Sequence, residues 1–358
     1  MTAAESAIEE LRHLQRTHGA DPDAAMARAS TVLATAEATG DRRVGGWAHL
    51  VLGACAVERT EVVPALVALA QATERLSEAG DEEGLLSALA LLVNAWVMTG
   101  DRAEARLTAG RGLRLARRLG ARATEARLLV NLAYTHGEDD DAVSYETLTV
   151  QALAIFEELG DDRATAHCLV NLGGALTRSG QFTEARRSYD RAERLCRGRG
   201  WAYVEALLWS GRGGLELAMG DWRAAVALYA ESERRLRSLG RQYQCVRQMI
   251  LVAEQLPRHG ETPEAIERLR LAAEEASEAG FPGLVAQARE TLARFTATLG
   301  DGSESRRHAN EAAAARSLLA RNHPEAESPS PSLVARVREV VTALDHPRGA
   351  LGNLLRQS

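Results

Sequence analysis

Residues 161–200 read DDRATAHCLVNLGGALTRSGQFTEARRSYDRAERLCRGRG, and this stretch decides the fold. It contains two runs of similar length, which are separated at Ser179 and Gly180 and closed by Gly200. Apolar residues recur three and four positions apart within each run, and this is the spacing of one helical face. They are Cys168, Leu169, Leu172, Ala175 and Leu176 in the first run, and Ala185, Tyr189, Ala192 and Leu195 in the second. The stretch therefore predicts a helical hairpin, which needs neighbouring hairpins to bury its apolar faces.

The same pattern returns along the chain with a period of forty residues. Glycine ends each unit at Gly40, Gly80, Gly120, Gly160, Gly200, Gly240 and Gly280. A second column holds alanine at Ala25, Ala65, Ala105, Ala185, Ala225 and Ala265. Glycine adopts positive φ at low cost and is the commonest residue just after a helix. The period thus predicts an all-α solenoid of about eight helical hairpins over residues 1–320.

The best unit resembles the tetratricopeptide repeat (TPR). The residues that fill the family's positions are Leu172, Gly173, Leu176, Gly180, Ala185, Tyr189 and Ala192. The unit is longer than the family's usual length of about 34 residues, and it is similar to the units of bacterial regulators of the MalT type and of regulators that bind signalling peptides. The resemblance implies a right-handed superhelix in which the first helix of each hairpin lines a concave groove.

Composition narrows the class of protein. The chain has 358 residues and a net charge of −6, which argues against general affinity for nucleic acids. All 43 basic residues are arginine, which points to a GC-rich, bacterial genome. The N-terminal residues do not form a signal peptide, and no apolar run is long enough to span a membrane. The cysteines lack any C-x-x-C spacing and are expected to be reduced and buried in a cytoplasmic protein: Cys55, Cys168, Cys196 and Cys245.

The sequence carries no recognisable catalytic motif. It has no phosphate-binding loop with lysine, no H-E-x-x-H and no G-x-S-x-G, so we expect neither enzymatic activity nor a cofactor. The acidic run at residues 138–141 lacks the spacing and the glycine of an EF-hand, and no metal site is expected. His49 and His167 stand alone on first helices and are predicted to be structural.

By the geometry of the TPR family, positions on the first helices would line the groove. The candidate binding residues are Trp47, Asn94, Arg127, Tyr134, His167, Leu207 and Arg247. The same positions include Leu50, Ala54, Ala90, Val97, Val130, Val170, Gly174, Ser210, Gly214, Ile250 and Glu254. This lining is mixed and has few charges, which suits a helix or an extended peptide.

One known TPR binding mode holds a C-terminal carboxylate with two asparagines and three basic residues. Asn94 and Asn131 match the asparagines, but Ala90, His167 and Asn171 occupy the basic positions. Without cations the clamp has little reason to prefer a carboxylate. We expect Asn131 and Asn171 instead to form hydrogen bonds between adjacent helices.

Two regions fall outside the simple repeat. The third unit is rich in arginine. These arginines either face solvent and pair with nearby acidic residues, or form a patch on which a partner docks. Residues 321–332 are a polar, Pro/Ser-rich linker, and residues 333–358 are predicted to form an amphipathic helix and tail that caps the last repeat or docks in the groove. The final Leu351, Gly352 and Asn353 faintly resemble the start of a diguanylate cyclase domain.

The sequence thus predicts a non-enzymatic scaffold in bacterial signalling that binds a peptide or protein segment in its groove. An alternative is a sensor module for a transcriptional regulator or a diguanylate cyclase system whose output domain is lost or encoded separately. Neither nucleic acid nor a membrane is expected as a partner.

Overall fold

The computed structural model describes residues 2–17, 19, 21–99, 101–137, 142–322 and 331–344. Within these ranges the chain forms seventeen α-helices and a short 3₁₀ segment, Leu256–His259, and no strand. The helices are α1 (Ala3–Thr17), α2 (Pro22–Thr39), α3 (Arg42–Glu58), α4 (Val62–Glu78), α5 (Glu82–Thr99), α6 (Arg102–Arg118), α7 (Arg122–Gly137), α8 (Ala142–Glu158), α9 (Asp162–Arg178), α10 (Phe182–Cys196), α11 (Ala202–Ala218), α12 (Trp222–Ser238), α13 (Gln242–Gln255), α14 (Thr262–Glu278), α15 (Pro282–Thr298), α16 (Gly302–Asn322) and α17 (Pro331–Ala343). Helices α1–α16 fall into eight consecutive pairs of one forty-residue unit each, so the all-α, repeated-hairpin prediction is confirmed.

A glycine and a following polar residue connect most helices. Gly80 has φ of 67° and its N–H donates to the carbonyl of Ser77 at 3.1 Å, while the N–H of Asp81 donates to the carbonyl of Leu76 at 2.9 Å. These two hydrogen bonds satisfy carbonyls that the end of α4 would otherwise leave without a donor. The Asp81 carboxylate then accepts from the N–H of Gly84 at 2.9 Å and so caps the start of α5.

Small residues in the first helix of a hairpin make room for large ones in the second. A Cβ placed on Gly173 would lie 2.5 Å from the ring of Tyr189, sixteen positions later. A Cβ on Gly53 would likewise lie 2.6 Å from Leu69, which is also sixteen positions later. Glycine at these two positions therefore lets the two helices of a hairpin approach closely.

The chain divides into two compact units. One consists of Met1–Asp141 and Ser328–Ser358 and holds α1–α7 and α17; the other is Ala142–Glu327 and holds α8–α16. In the first unit α17 packs against α4 and α6, the second helices of their hairpins. Helix α17 thus neither covers the last hairpin nor lies on the first helices, which corrects both placements expected for the C-terminal helix.

The four cysteines are free and buried, as expected. Burial raises the pKa of the thiols of Cys55 and Cys245 to about 11. No helix within the described part of the chain is long and apolar enough to cross a membrane. The acidic run at residues 138–141 and the tail segment containing Leu351 lie outside the described residues.

Candidate functional site

We call the first helix of each hairpin an A helix and the second a B helix. In the first unit the A helices α1, α3, α5 and α7 each contact the next one in the series. In the second unit α9 contacts α11, and α13 contacts α15. Each unit therefore has rows of A helices, and the predicted binding residues lie on these helices.

Trp47 on α3 is buried, with 4% of its surface exposed. Its indole N–H donates to the carboxylate of Asp81 at 2.9 Å, and the guanidinium of Arg12 lies 5.1 Å from the centre of its ring. Leu50 and Ala54 on the same helix are fully buried. These three residues pack α3 against its neighbours and do not form a binding surface in this structure.

The carboxylate beside Trp47 is the centre of a buried polar cluster. Besides the indole, Asp81 accepts from the N–H of Gly84 at 2.9 Å and from Nε of Arg43 at 2.7 Å. Burial alone would raise the pKa of Asp81, but these three donors outweigh it and the pKa is lowered. Because the pKa is depressed in the folded state, ionised Asp81 stabilises the fold above its unfolded pKa, and this stabilisation is lost as the pH falls through the folded pKa.

We therefore expect Asp81→Asn to lower the free energy of unfolding by about 1–3 kcal/mol at pH 7, because it weakens a buried, charge-assisted cluster. The difference from the wild type should shrink as the pH falls below about 3.9, where the unfolded aspartate takes up a proton, and should vanish below the lower pKa of folded Asp81. Urea unfolding at several pH values measures both. Asp161→Asn is the control, since Asp161 holds the same repeat position but is exposed and caps α9, where asparagine serves equally well. An equal loss of stability in both variants would contradict this role of Asp81.

Asn94 on α5 and Asn131 on α7 join two A helices. The Nδ2 of Asn131 donates to the Oδ1 of Asn94, and both side chains are partly exposed. The expected inter-helix hydrogen bond of Asn131 is therefore present. The remaining donor and acceptor groups of two amides at a partly exposed position can bind the backbone of an added peptide.

Arg127 and Tyr134 lie two turns apart on α7. Tyr134 is 38% exposed, although tyrosine carries a large apolar ring. Arg127 is exposed, and its guanidinium donates to the hydroxyl of Thr124 at 3.0 Å. Val130, which was expected to line the same face, is buried at 8% exposure. These two positions of α7 thus combine an aromatic side chain with a cation.

In the second unit His167 and Leu207 are partly exposed and Arg247 is exposed. The pKa of His167 is lowered, first by burial and then by the charge of Arg163, so this histidine is neutral at pH 7. Val170 and Ile250 are buried at 6% and 0% exposure, which removes them from the predicted lining. On α13 the adjacent residue Leu251 is 46% exposed instead.

The A helix of the last hairpin, α15, carries further candidate positions that were not predicted from the sequence. A cavity of about 530 Å³ lies between α13, α15 and α16. Its polar lining residues are Glu254, Gln287, Glu290, Thr291, Arg294 and Arg316. Gln287 and Arg294 hold the same repeat positions as Arg127 and Tyr134, four units later. The predicted lining stopped at α13, and extending it by one forty-residue unit would have included both residues.

The charged residues around this cavity form ion pairs with one another. The carboxylate of Glu254 on α13 accepts from the hydroxyl of Thr291 at 3.2 Å and from Arg294 on α15 at 3.3 Å. Glu290 pairs with Arg316 on α16 at 2.6 Å. Each charge has a partner of opposite sign, so the cavity presents hydrogen-bonding groups without a strong net charge.

Several arginines of the third unit form ion pairs or hydrogen bonds within the chain. Arg118 pairs with Glu82 at 2.8 Å, Arg117 pairs with Glu125 at 2.8 Å, and Arg106 donates to the carbonyl of Thr135 at 2.9 Å. The arginine-rich stretch therefore contributes to internal pairing. His49, also singled out in the sequence, is buried, and burial lowers its pKa to about 4.

Within the described ranges, no group of three or more histidine, cysteine, aspartate or glutamate side chains could hold a metal ion. The A helices of the first unit offer hydrogen bonding by amides, a cation at Arg127 and apolar contact at Tyr134, whereas those of the second unit offer arginines and apolar contact at Leu251. These are the means by which a protein binds a peptide.

Comparison with known proteins agrees with this architecture. The profile of the tetratricopeptide repeat family matches residues 124–198. A Rap protein solved in complex with competence and sporulation factor has a TM-score of 0.65 and 15% identity, covering 96% of this chain and 98% of its own. The chain is a TPR-like repeat protein.

Two further structures share this TPR-like fold. NprR, solved in complex with its cognate peptide NprX, has a TM-score of 0.59 at 14% identity and covers 96% of this chain and 100% of its own. Aspartyl phosphate phosphatase F from Bacillus subtilis has a TM-score of 0.56 at 10% identity and covers 92% of this chain and 97% of its own. A search of curated protein sequences finds no match. At these identities the likeness concerns the fold.

Proposed function

We propose that this TPR-like chain is a non-enzymatic, cytoplasmic regulator of bacterial signalling that binds a peptide or protein segment on its A helices. The observation that carries the proposal is that Tyr134, a large side chain, is exposed on an A helix of the first unit that also presents Asn131 and Arg127. Leu251 is exposed on an A helix of the second unit in the same way. Exposed apolar groups beside hydrogen-bonding groups are typical of surfaces that bind another chain.

The two kinds of group have different tasks. An extended peptide has a backbone N–H and C=O at almost every residue, and in the first unit the side chains of Asn94 and Asn131 can pair with these groups. Tyr134 on the same unit can bury an apolar side chain of the peptide, which supplies most of the affinity. NprR was solved with its cognate peptide bound and the Rap protein with competence and sporulation factor, which supports a peptide as the ligand of a chain with this fold.

The test is a double substitution on α7. Peptides that bind the wild type are first selected from a random heptapeptide phage library, and one is synthesised with a fluorescent label. We expect Arg127→Ala with Tyr134→Ala to weaken its binding about 30-fold or more, since truncating one anchor typically costs about 2 kcal/mol. Fluorescence anisotropy measures the affinity, and circular dichroism checks that the helical signal and the melting temperature are retained.

A matched control removes the same kinds of side chain from B helices. Arg187 on α10 and Leu271 on α14 are an exposed arginine and an exposed leucine, with 77% of the Arg187 side chain and 48% of Leu271 accessible. Replacing both by alanine should leave the affinity unchanged. If the control variant loses binding and the α7 variant keeps it, the peptide binds elsewhere and the proposal is wrong.

A further inference from the structure

Helix α17 is amphipathic, and its apolar face is buried against B helices of the first unit. Val337 is 0% exposed and Val341 is 1% exposed, while Val340 and Ala343 are each 8% exposed. Arg336, which precedes them, and Glu339, which lies between them, are exposed. The buried face packs on α4 and α6, although α16, which precedes α17 in the chain, belongs to the other unit.

An ion pair with a buried carboxylate joins α17 to α6. The Nε of Arg338 donates to the carboxylate of Glu104 on α6 at 2.5 Å. Only 3% of the Glu104 side chain is exposed, against 55% of the Arg338 side chain. The carboxylate is buried at the contact and the cation reaches it from the solvent side, so the pair contributes specificity as well as attraction.

The equivalent positions of another B helix are exposed. Glu184 on α10 holds the same repeat position as Glu104, two units later, and 51% of its side chain is exposed. Arg191 corresponds in the same way to Arg111; its side chain is 47% exposed, whereas Arg111 is 7% exposed. The repeat itself therefore does not require burial at these positions, and α17 supplies the cover at Glu104.

The length of α17 bears on how firmly it is held. It has thirteen residues, and isolated helices shorter than about 12–15 residues are marginal in water. Its folding is therefore coupled to its docking, and ordering the segment offsets much of what its few buried valines contribute. A helix held in this way can be replaced by a competing helix that is present at sufficient concentration.

We propose that the outer face of α4 and α6 is a second binding site, separate from the A-helix surface, and that α17 is its built-in ligand. The external partner that fits is a protein with an exposed amphipathic helix of the same pattern. That pattern has apolar residues at the positions of Val337, Val340 and Val341 and an arginine at the position of Arg338 to pair with Glu104. While α17 is docked, the partner is excluded.

The experiment uses the full chain and a fluorescein-labelled synthetic peptide of residues 331–344 as the probe. Val337→Asp places a charge in the fully buried position and should release α17 from the site. We expect the probe to bind this variant at least about 10-fold more tightly than the wild type, where the tethered helix competes at high effective concentration. Fluorescence anisotropy reports the affinity.

A charge reversal tests specificity in the Val337→Asp chain. Adding Glu104→Arg should weaken the probe at least about 10-fold, and a probe carrying Arg338→Glu should restore the binding, as expected for a direct ion pair. Failure of the folded Val337→Asp chain to bind the probe would overturn the proposal. So would unfolding of the first unit on release of α17, seen as loss of helical signal, because α17 would then be a structural part of that unit. A wild-type dimer that Val337→Asp abolishes would make a second copy the occupant.

Discussion

Arg268→Ala is expected to lower the free energy of unfolding by about 3–5 kcal/mol, because it leaves a buried carboxylate without its cation. Arg268 on α14 and Glu233 on α12 form an ion pair in which only 10% and 6% of the side chains are exposed. Burial raises the pKa of Glu233 even though Arg268 opposes the shift. In the variant the ionised carboxylate must be buried alone or take up a proton, so the loss of stability should be smaller at acidic pH.

An exposed ion pair of the same chemistry is the control. Arg118 and Glu82 lie 2.8 Å apart with 64% and 37% of their side chains exposed. Arg118→Ala should change the free energy of unfolding by less than about 1 kcal/mol. Urea unfolding monitored by circular dichroism measures both variants at pH 7 and pH 5. Equal, small effects of the two substitutions would show that the α12–α14 pair does not depend on its burial.

Replacing the adjacent glycines Gly173 and Gly174 by alanine should change the stability of the protein in opposite directions. A Cβ on Gly173 would lie 2.5 Å from Cε1 and 2.6 Å from Cζ of the buried Tyr189 ring, which a Cβ on Gly211 would also approach to 2.6 Å. The ring is therefore confined between two backbones and cannot shift freely. Gly173→Ala is expected to destabilise the protein by about 1–3 kcal/mol through overpacking.

The neighbouring Gly174 has open space around it. A Cβ there would find only the hydroxyl of Tyr189, at 3.9 Å. Gly174→Ala should stabilise α9 by about 0.5–1 kcal/mol, since alanine loses less conformational entropy than glycine in a helix. Thermal unfolding shows whether each variant is more or less stable than the wild type. If both substitutions stabilise the protein, the hairpin is packed less closely at Gly173 than the structure indicates.

Much of the fold follows from the forty-residue period, because each unit repeats the same helix ends and the same close approach. Gly173 and Tyr189 illustrate this: the small residue and the large one are both readable in the sequence, and they meet in the structure. The placement of α17 was not readable. Its valines predict a buried face, but the sequence of α17 does not indicate that this face packs on α4 and α6. That contact joins residues that are distant in sequence.

The candidate site was predictable only in outline. The period places residues on A helices but does not say which side of a helix its neighbours cover. Trp47 was therefore expected at the surface, whereas α3 is buried among its neighbours and the indole pairs with Asp81. Leu251 was overlooked because a shift of one residue along α13 separates the buried Ile250 from an exposed position.

Site-specific photocrosslinking tests the proposed peptide-binding surface most directly. A benzophenone amino acid replaces Tyr134 on α7 in one variant and the exposed Leu271 on the B helix α14 in another. Each variant is irradiated with the labelled heptapeptide selected on the wild type. The account predicts a covalent adduct from position 134, suppressed by excess unlabelled peptide, and none from position 271. An adduct from position 271 alone would contradict it.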